Sequence, residues 1–467
     1  FSSIRFNSAD APYMYRTPSS TSATNHRTWT LSVWFKIGDM DNWGTSGQYN
    51  RAFLFATSGT NQMGVYLGEG YGKFFEFYFR NSGGVLANLT TNREFRDASA
   101  WYHLVVIYDS TQAVSSERIR VYFNGVRETS FSTATYPSQN TEGWINNQSY
   151  QQEIGRAYQQ ARYFDGYLAE IHFLDGYAYD PSYFGLFNDS GIWIPKEYSG
   201  SYGSNGFKID GRDSSDLADD ESGNGNDFST SGLATHDQMA DTPTNNFAVA
   251  NPLDSSYYMG SETFSEGNLQ MTLGSSVGGL ATMGITSGKW YAEFEVHSDA
   301  SGTTYFIIGI YGDQPTSTQH FVGYTSNSYG YYALNGNSYT NFTSSSYGNS
   351  YTVGDVVGVA VDLDNNKLYF SKNGTFQNSG DPTSGASGTG AISINPVSST
   401  GLGAYFIASS SASSTPSGHT INYNFGQDGT FAGNVTAGGN SDGNGIGNFK
   451  YSVPSGYLAL CTKNLGS

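Results

Sequence analysis

The side chains best able to do chemistry in this chain are its acids. Cleaving a glycosidic bond takes two carboxyl groups about 5–9 Å apart, and residues i and i+2 of a strand share a face. Two strand-like stretches offer acids: Ala169-Glu170-Ile171-His172-Phe173 and Ala292-Glu293-Phe294-Glu295-Val296-His297. Glu170 stands alone and reads as structural. Glu293 and Glu295 share one face and read as solvated or paired. A second group of oxygens, Asp219, Asp220, Asn224, Asn226 and Asp227, could donate to Ca²⁺, which takes roughly six to eight such ligands. Their spacing departs from an EF-hand loop. Asp362 and Asp364 raise the same option, but acidic turn residues usually hydrogen-bond their own backbone. No metal is assigned, and calcium stays open as a cofactor with Asp219, Asp220 and Asp227 as its candidates. The seven histidines are scattered and Cys461 is the single thiol, a poor basis for a transition-metal site. No Gly-x-Ser-x-Gly elbow or phosphate-cradling Gly-x-x-x-x-Gly-Lys-Ser/Thr loop occurs. A Ser/His/Asp triad is spatial, and nothing in the order of residues favours one.

Recognition is better provided for. The stretch Ser326–Tyr339, SNSYGYYALNGNSY, sets tyrosines among amides and hydroxyls. A tyrosine offers a flat apolar face and a hydroxyl at low entropy cost, which suits sugar rings and protein surfaces alike. Tyr329, Tyr331, Tyr332 and Tyr339 are therefore the candidate binding residues, on a loop-bearing edge. The competing reading is a strand and hairpin whose Tyr331 or Tyr332 face the core.

Composition narrows the partners. Charged residues are 13% of the 467, and 22 basic against 40 acidic residues leave a formal charge of −18. An acidic surface repels phosphate backbones, so nucleic acid is not an expected partner. No apolar run approaches the ~20 residues of a membrane span. The chain opens at Phe1 without a charged-then-apolar leader; either a leader has been removed or the numbering begins inside a longer product. One cysteine excludes an internal disulfide without fixing the compartment. Aromatics at 16% beside abundant Gly, Ser, Asn and Thr argue for an all-β protein of many short strands, and the length asks for more than one core.

Alternating runs supply those strands. In the first part they are Thr28–Lys36 (TWTLSVWFK), Arg51–Ala56, Lys73–Arg80 (KFFEFYFR), Trp101–Asp109 (WYHLVVIYD), Ile119–Val126 with an Asn124-Gly125 turn, and Phe164–Leu174. This order resembles a laminin-G-like, concanavalin A-type lectin domain. Hydrolases of that fold class carry Glu-x-Asp-x-x-Glu, and neither acid stretch here supplies it. Further on come Gly288–Val296 (GKWYAEFEV), Ile307–Ile310 and Val356–Val361. Lys367–Ser371 follows, then a Lys372-Asn373-Gly374 turn and Gly401–Phe406. Asn-Gly between alternating apolar residues is a strong hairpin signal, because both central positions of a type I′ turn need φ > 0. That second set resembles a SPRY (B30.2-like) domain, a β-sandwich used for binding.

The expected organisation is a lectin-like domain over residues 1–198, an Asp/Asn/Gly-rich connector over 199–255, a SPRY-like sandwich over 256–427 and a terminal tail over 428–467. Phe207, Ile209, Phe228, Leu233 and Phe247 could anchor the connector along a sandwich. The fold class is all-β: two concanavalin A-like jelly-roll sandwiches joined by a long ordered connector. The pairing, the connector motifs Asp219–Phe228 and Asp241–Phe247, and the ending Pro454-x-Gly456-Tyr457-x-Ala459-Leu460-Cys461-Thr462-x-Asn464-Leu465 resemble structural proteins of marine tailed bacteriophages. The resemblance implies a non-enzymatic virion component at the particle surface, a fibre, spike or capsid appendage. Such a protein would associate with copies of itself and other virion proteins and contact a host surface glycan or protein. The alternative is a secreted or cell-surface bacterial lectin or adhesin; a glycan hydrolase ranks below both.

Overall fold

The computed structural model describes residues 1–18, 26–38, 51–68, 73–157, 162–253, 262–273, 278–300, 302–314, 321–412 and 418–466. The chain divides into two compact units, Phe1–Thr244 and Asn245–Ser467. Both are built from antiparallel sheets, apart from a short parallel pairing of Leu458–Ala459 with Lys289–Asp299, with helix limited to short 3₁₀ turns and the four-residue Thr462–Leu465 among the described residues. The expected boundary at 255/256 lies outside the described residues.

In the first unit, one eight-stranded sheet runs Val126–Arg127, Ile119–Phe123, Trp101–Asp109, Thr28–Ile37, Gly166–Asp175, Ser3–Phe6, Gln238–Met239, with Phe207–Ile209 also on Gly166–Asp175. The other runs Phe131–Thr135, Gly84–Glu94, Phe74–Asn81, Asn61–Gly68, Arg51–Ser58, Gln151–Ile154, Tyr13–Arg16, Ser229–Ser231. Alternation in Thr28–Ile37 sends Trp29, Leu31, Val33, Phe35 and Ile37 into the core between the sheets. Thr30, Ser32, Trp34 and Lys36 point the other way and are buried too, because later segments overlie that outer face. Thr30 donates to the Tyr177 carbonyl at 2.7 Å, and the Lys36 ammonium meets Asp241 at 2.8 Å.

Residues 199–244 thus belong to the first unit. Phe207, Ile209, Leu217, Ala218 and Phe228 enter its core. Phe207 stacks on Phe173 at 5.4 Å and takes Phe228 edge-on at 4.8 Å, while the Arg16 guanidinium lies over both rings.

The second unit pairs a nine-stranded sheet with a six-stranded one. The larger follows the path Thr263–Ser265, Gln270–Leu273, His419–Asn424, Lys289–Asp299, Val356–Asp362, Lys367–Lys372, Thr375–Phe376. The smaller follows Gly279–Leu280, Phe406–Ser411, Phe306–Tyr311, Ser328–Tyr332, Ser338–Thr340, Thr343–Ser345. The Asn124-Gly125 and Asn373-Gly374 turns have both residues at positive φ and close the hairpins Phe123↔Val126 and Lys372↔Thr375, as the sequence requires. The tail lays Phe449, Tyr457, Ala459 and Cys461 on Phe247, Tyr291 and Tyr369. Residues 246–248 then pair with the chain's end: Ala248 donates to the Leu460 carbonyl at 3.0 Å and Thr462 to that of Asn246 at 2.8 Å.

Candidate recognition surfaces

The acids singled out in the sequence, Glu293, Glu295 and Glu170, are all buried. Glu293 has no exposed surface. Its Oε2 accepts from the backbone of Lys450 at 2.8 Å and its Oε1 from that of Tyr451 at 2.8 Å; Tyr291 and Asn424 add side-chain donors. Burial pushes its carboxyl up to about 7 against these four donors. Glu295 accepts from Asn422 at 2.7 Å and lies 3.7 Å from His297. These two acids are buried, so only the paired half of the sequence reading holds. Glu170 is buried at a strand irregularity between Ala169 and His172, with φ +46°, a strained conformation for a residue with a side chain. Its Oε2 lies 3.5 Å from His172.

Among the described residues, two serine–histidine contacts stand out that the sequence could not reveal. Ser32 Oγ lies 2.8 Å from His103 Nε2, but Trp193 Nε1 donates to His103 Nδ1 at 2.9 Å. Indole N–H is only a donor, so Nδ1 is the acceptor and Nε2 carries the ring proton toward Ser32. That imidazole cannot take the serine proton, and burial, with His172 nearby, lowers its pKa to about 3. Ser411 Oγ lies 3.5 Å from His419 Nδ1, with Asp299 3.0 Å from Nε2. A contact of 3.5 Å is at the limit of a hydrogen bond, and Ser411 and His419 have no exposed surface.

The calcium candidates hold loops. Asp220 accepts from the Lys208, Ser222 and Asn226 backbones and the Ser222 hydroxyl at 2.8–2.9 Å. Asp227 accepts from the Asp220 backbone at 3.0 Å, and Asp219 is half-buried beside it. Asp362 holds Asn365 and the Lys289 ammonium. Among the described residues, no group of three His, Cys, Asp or Glu side chains is gathered for a metal.

The expected binding tyrosines need correction. Tyr329, Tyr331 and Tyr332 lie on a strand, Ser328–Tyr332, inside the six-stranded sheet, and all three are buried. Tyr331 packs on Phe370, Tyr351 and Tyr347 and its hydroxyl donates to the Asn349 carbonyl. Tyr329 packs against Tyr405 and accepts from the Asn395 backbone at 2.9 Å. Tyr332 faces outward but is covered, edge-on to Tyr339 at 5.4 Å. The physical reason is period two with both faces roofed: alternate residues fill the core and the outer layer, and none is left for a ligand. Only Tyr339, half-buried on Ser338–Thr340, reaches the surface.

What the surface offers instead are two apolar hairpins. In the second unit, Asn341-Phe342 joins Ser338–Thr340 to Thr343–Ser345, both central residues at positive φ. Phe342 is 65% exposed and packs beside Tyr324 at 5.0 Å and Phe321 at 6.1 Å. In the first unit, the hairpin Gly185–Phe187 with Trp193–Pro195 exposes Leu186, Phe187 and Ile192. Trp193 anchors it through His103, and a Cβ on Gly125 would stand 2.6 Å from the indole; that glycine, at φ +78°, is what lets the ring seat. The turn of the first hairpin, Asn188-Asp189-Ser190-Gly191, is made of ordinary turn formers, but nothing in the sequence marks its apolar neighbours as exposed; Asn341-Phe342 carries no turn signature at all.

Two family models match the chain. Residues 12–178 match the concanavalin A-like lectin/glucanases superfamily and residues 289–394 the SPRY domain. Among solved structures, the SPRY domain of human HERC1 is similar at 21% identity over 33% of this chain and 87% of that chain, with a TM-score of 0.26. A second human SPRY domain is similar at 19% identity over 33% and 90%, with a TM-score of 0.25. No curated protein matches in sequence. A lectin-like domain followed by a SPRY domain fits a protein that binds or adheres.

Proposed function

We propose that the chain is a non-enzymatic structural and adhesive protein of a bacteriophage particle surface, which associates with copies of itself and touches the host envelope. The observation that carries the binding part is the hairpin of residues 185–195. It exposes Leu186, Phe187 and Ile192 together at 42%, 54% and 59% on a base fixed by Trp193. Exposed apolar clusters on an otherwise polar surface mark sites of association. The placement on a particle rests on the resemblance of the connector and the chain's ending to tailed-phage structural proteins. Low charge density supports lateral packing, because few ions need to lose water when copies meet.

The test is light scattering over a wide concentration range, on the wild type and on Phe187→Ser with Ile192→Ser. The wild type should associate, and the double variant should stay monomeric with a melting temperature within about 2 °C, as surface substitutions usually allow. Mass spectrometry of purified particles should find the chain. A wild type that is monomeric throughout and absent from particles overturns the proposal.

A further inference from the structure

We infer that the Phe342 tip of the second unit is a binding site for neutral glycans, with Phe342 and Tyr324 as its stacking residues. The inference gives a ligand class to the adhesive reading above and uses a different surface from the 185–195 hairpin.

Three independent features converge there. The first is conformation. Asn341 and Phe342 stand at φ +49° and +55°. Asparagine tolerates that region; a bulky ring seldom occupies it, and glycine would do so without strain. Strain of this kind persists where the surrounding structure fixes it and tends to gather at functional positions. Here the fixing is visible: Asn341 donates to the Thr325 carbonyl at 3.0 Å and Phe342 to that of Gly323 at 3.1 Å. The ring held outward by this turn is 65% exposed.

The second is the company the ring keeps. Tyr324 lies 5.0 Å from Phe342, Phe321 lies 5.6 Å from Tyr324, and Tyr339 lies 6.2 Å from Phe321. Asn341, Thr343 and Ser344 beside them are exposed. Aromatic faces meet the C–H side of a sugar ring, and amides and hydroxyls meet its hydroxyl rim.

The third is charge. From Phe321 to Gly354 the sequence contains no Asp, Glu, Lys or Arg, in a chain whose formal charge is −18. A cationic partner finds no carboxylate in this stretch. An anionic one finds no Lys or Arg there and approaches against the field of the whole chain. A neutral ligand meets neither obstacle.

Affinity electrophoresis of the full chain tests this, with laminarin, mannan or dextran as neutral probes and alginate as the anionic one, cast in native gels. At least one neutral polysaccharide should retard the wild type, and alginate should not. Phe342→Gly should weaken that binding tenfold or more while the melting temperature holds or rises, because glycine relieves the positive φ. A residue needed only for the fold would do the reverse. Phe342→Trp should keep binding within about threefold. No retardation by any neutral probe, retardation by alginate alone, or a Phe342→Gly variant that binds like wild type overturns the site. Self-association is followed on the same samples. Phe342→Gly should leave it intact and Phe187→Ser with Ile192→Ser should leave glycan retardation intact, so either reading can fail without the other.

Discussion

Both units roof the outer face of one sheet with a later piece of their own chain, and they fasten the roof with opposite chemistry. In the first unit the sheet supplies cations and the overlying segment supplies carboxylates. Arg5 and Lys36, both without exposed surface, meet Asp237 at 3.2 Å and Asp241 at 2.8 Å, and Trp101 donates to the second Asp241 oxygen at 2.9 Å. In the second unit the sheet supplies the carboxylate of Glu293, and the tail brings the backbone N–H groups of Lys450 and Tyr451 to it. A buried ion pair is intolerant of losing one partner, whereas a carboxyl held by backbone donors can change its own charge. Of these contacts, the Lys36–Asp241 pair should therefore respond to mutation and Glu293 to pH.

The largest effect concerns where the first unit ends. A fragment ending at Tyr198 lacks Phe207, Ile209, Leu217 and Phe228, whose burial is worth about 1.5–3 kcal/mol each. That sum is comparable to the whole stability of an ordinary domain, about 5–15 kcal/mol. Amide hydrogen exchange should find a protected core in residues 1–244 and none in residues 1–198. Equal protection in the two fragments would mean that the roof is not part of the fold, and the comparison with the tail would collapse.

Much of this architecture was legible in the sequence, and the parts that were not share a cause. Alternation in Thr28–Lys36 and Trp101–Asp109, and the two Asn-Gly turns, are local signals, and they placed strands and hairpins correctly. Tyr331 follows the competing strand-and-core reading, while Tyr329 was misjudged because a polar, aromatic strand roofed on both faces looks like a decorated loop until its cover is known. The role of Asp241 was invisible because its partner Lys36 lies 205 positions away. Phe342 escaped because Asn-Phe is a poor turn signal; the strain that makes the tip interesting is what hid it. Long-range cover and unusual φ leave no periodicity to read.

Next in size is the ion pair. Asp241→Ala removes the carboxylate 2.8 Å from the buried Lys36 ammonium and should destabilise the first unit by about 3–5 kcal/mol in urea denaturation. Lys36→Met combined with Asp241→Leu should recover most of that loss, since an apolar pair of similar volume often replaces a buried ion pair at little cost. If the single variant is nearly neutral, solvent reaches the pair and the roof is looser than its geometry.

The smallest effect is the most diagnostic of the contrast. Glu293 is pushed up to about 7 by burial, with the Lys450, Tyr451, Tyr291 and Asn424 donors opposing, whereas an exposed glutamate titrates near 4.3. A carboxyl whose folded pKa is raised contributes stability that is fully present below its unfolded pKa and is lost as pH rises through the folded value. The second unit should therefore weaken between about pH 4.3 and 7, by roughly 4 kcal/mol in all. Protonation is accommodated locally, because the Tyr291 hydroxyl, 3.2 Å from Oε1, can turn from donor to acceptor. Glu293→Gln stays neutral at every pH, so its stability should be flat across that window while the wild type slopes. Parallel slopes in the two proteins would assign the pH dependence to another group and leave the two roofs chemically alike.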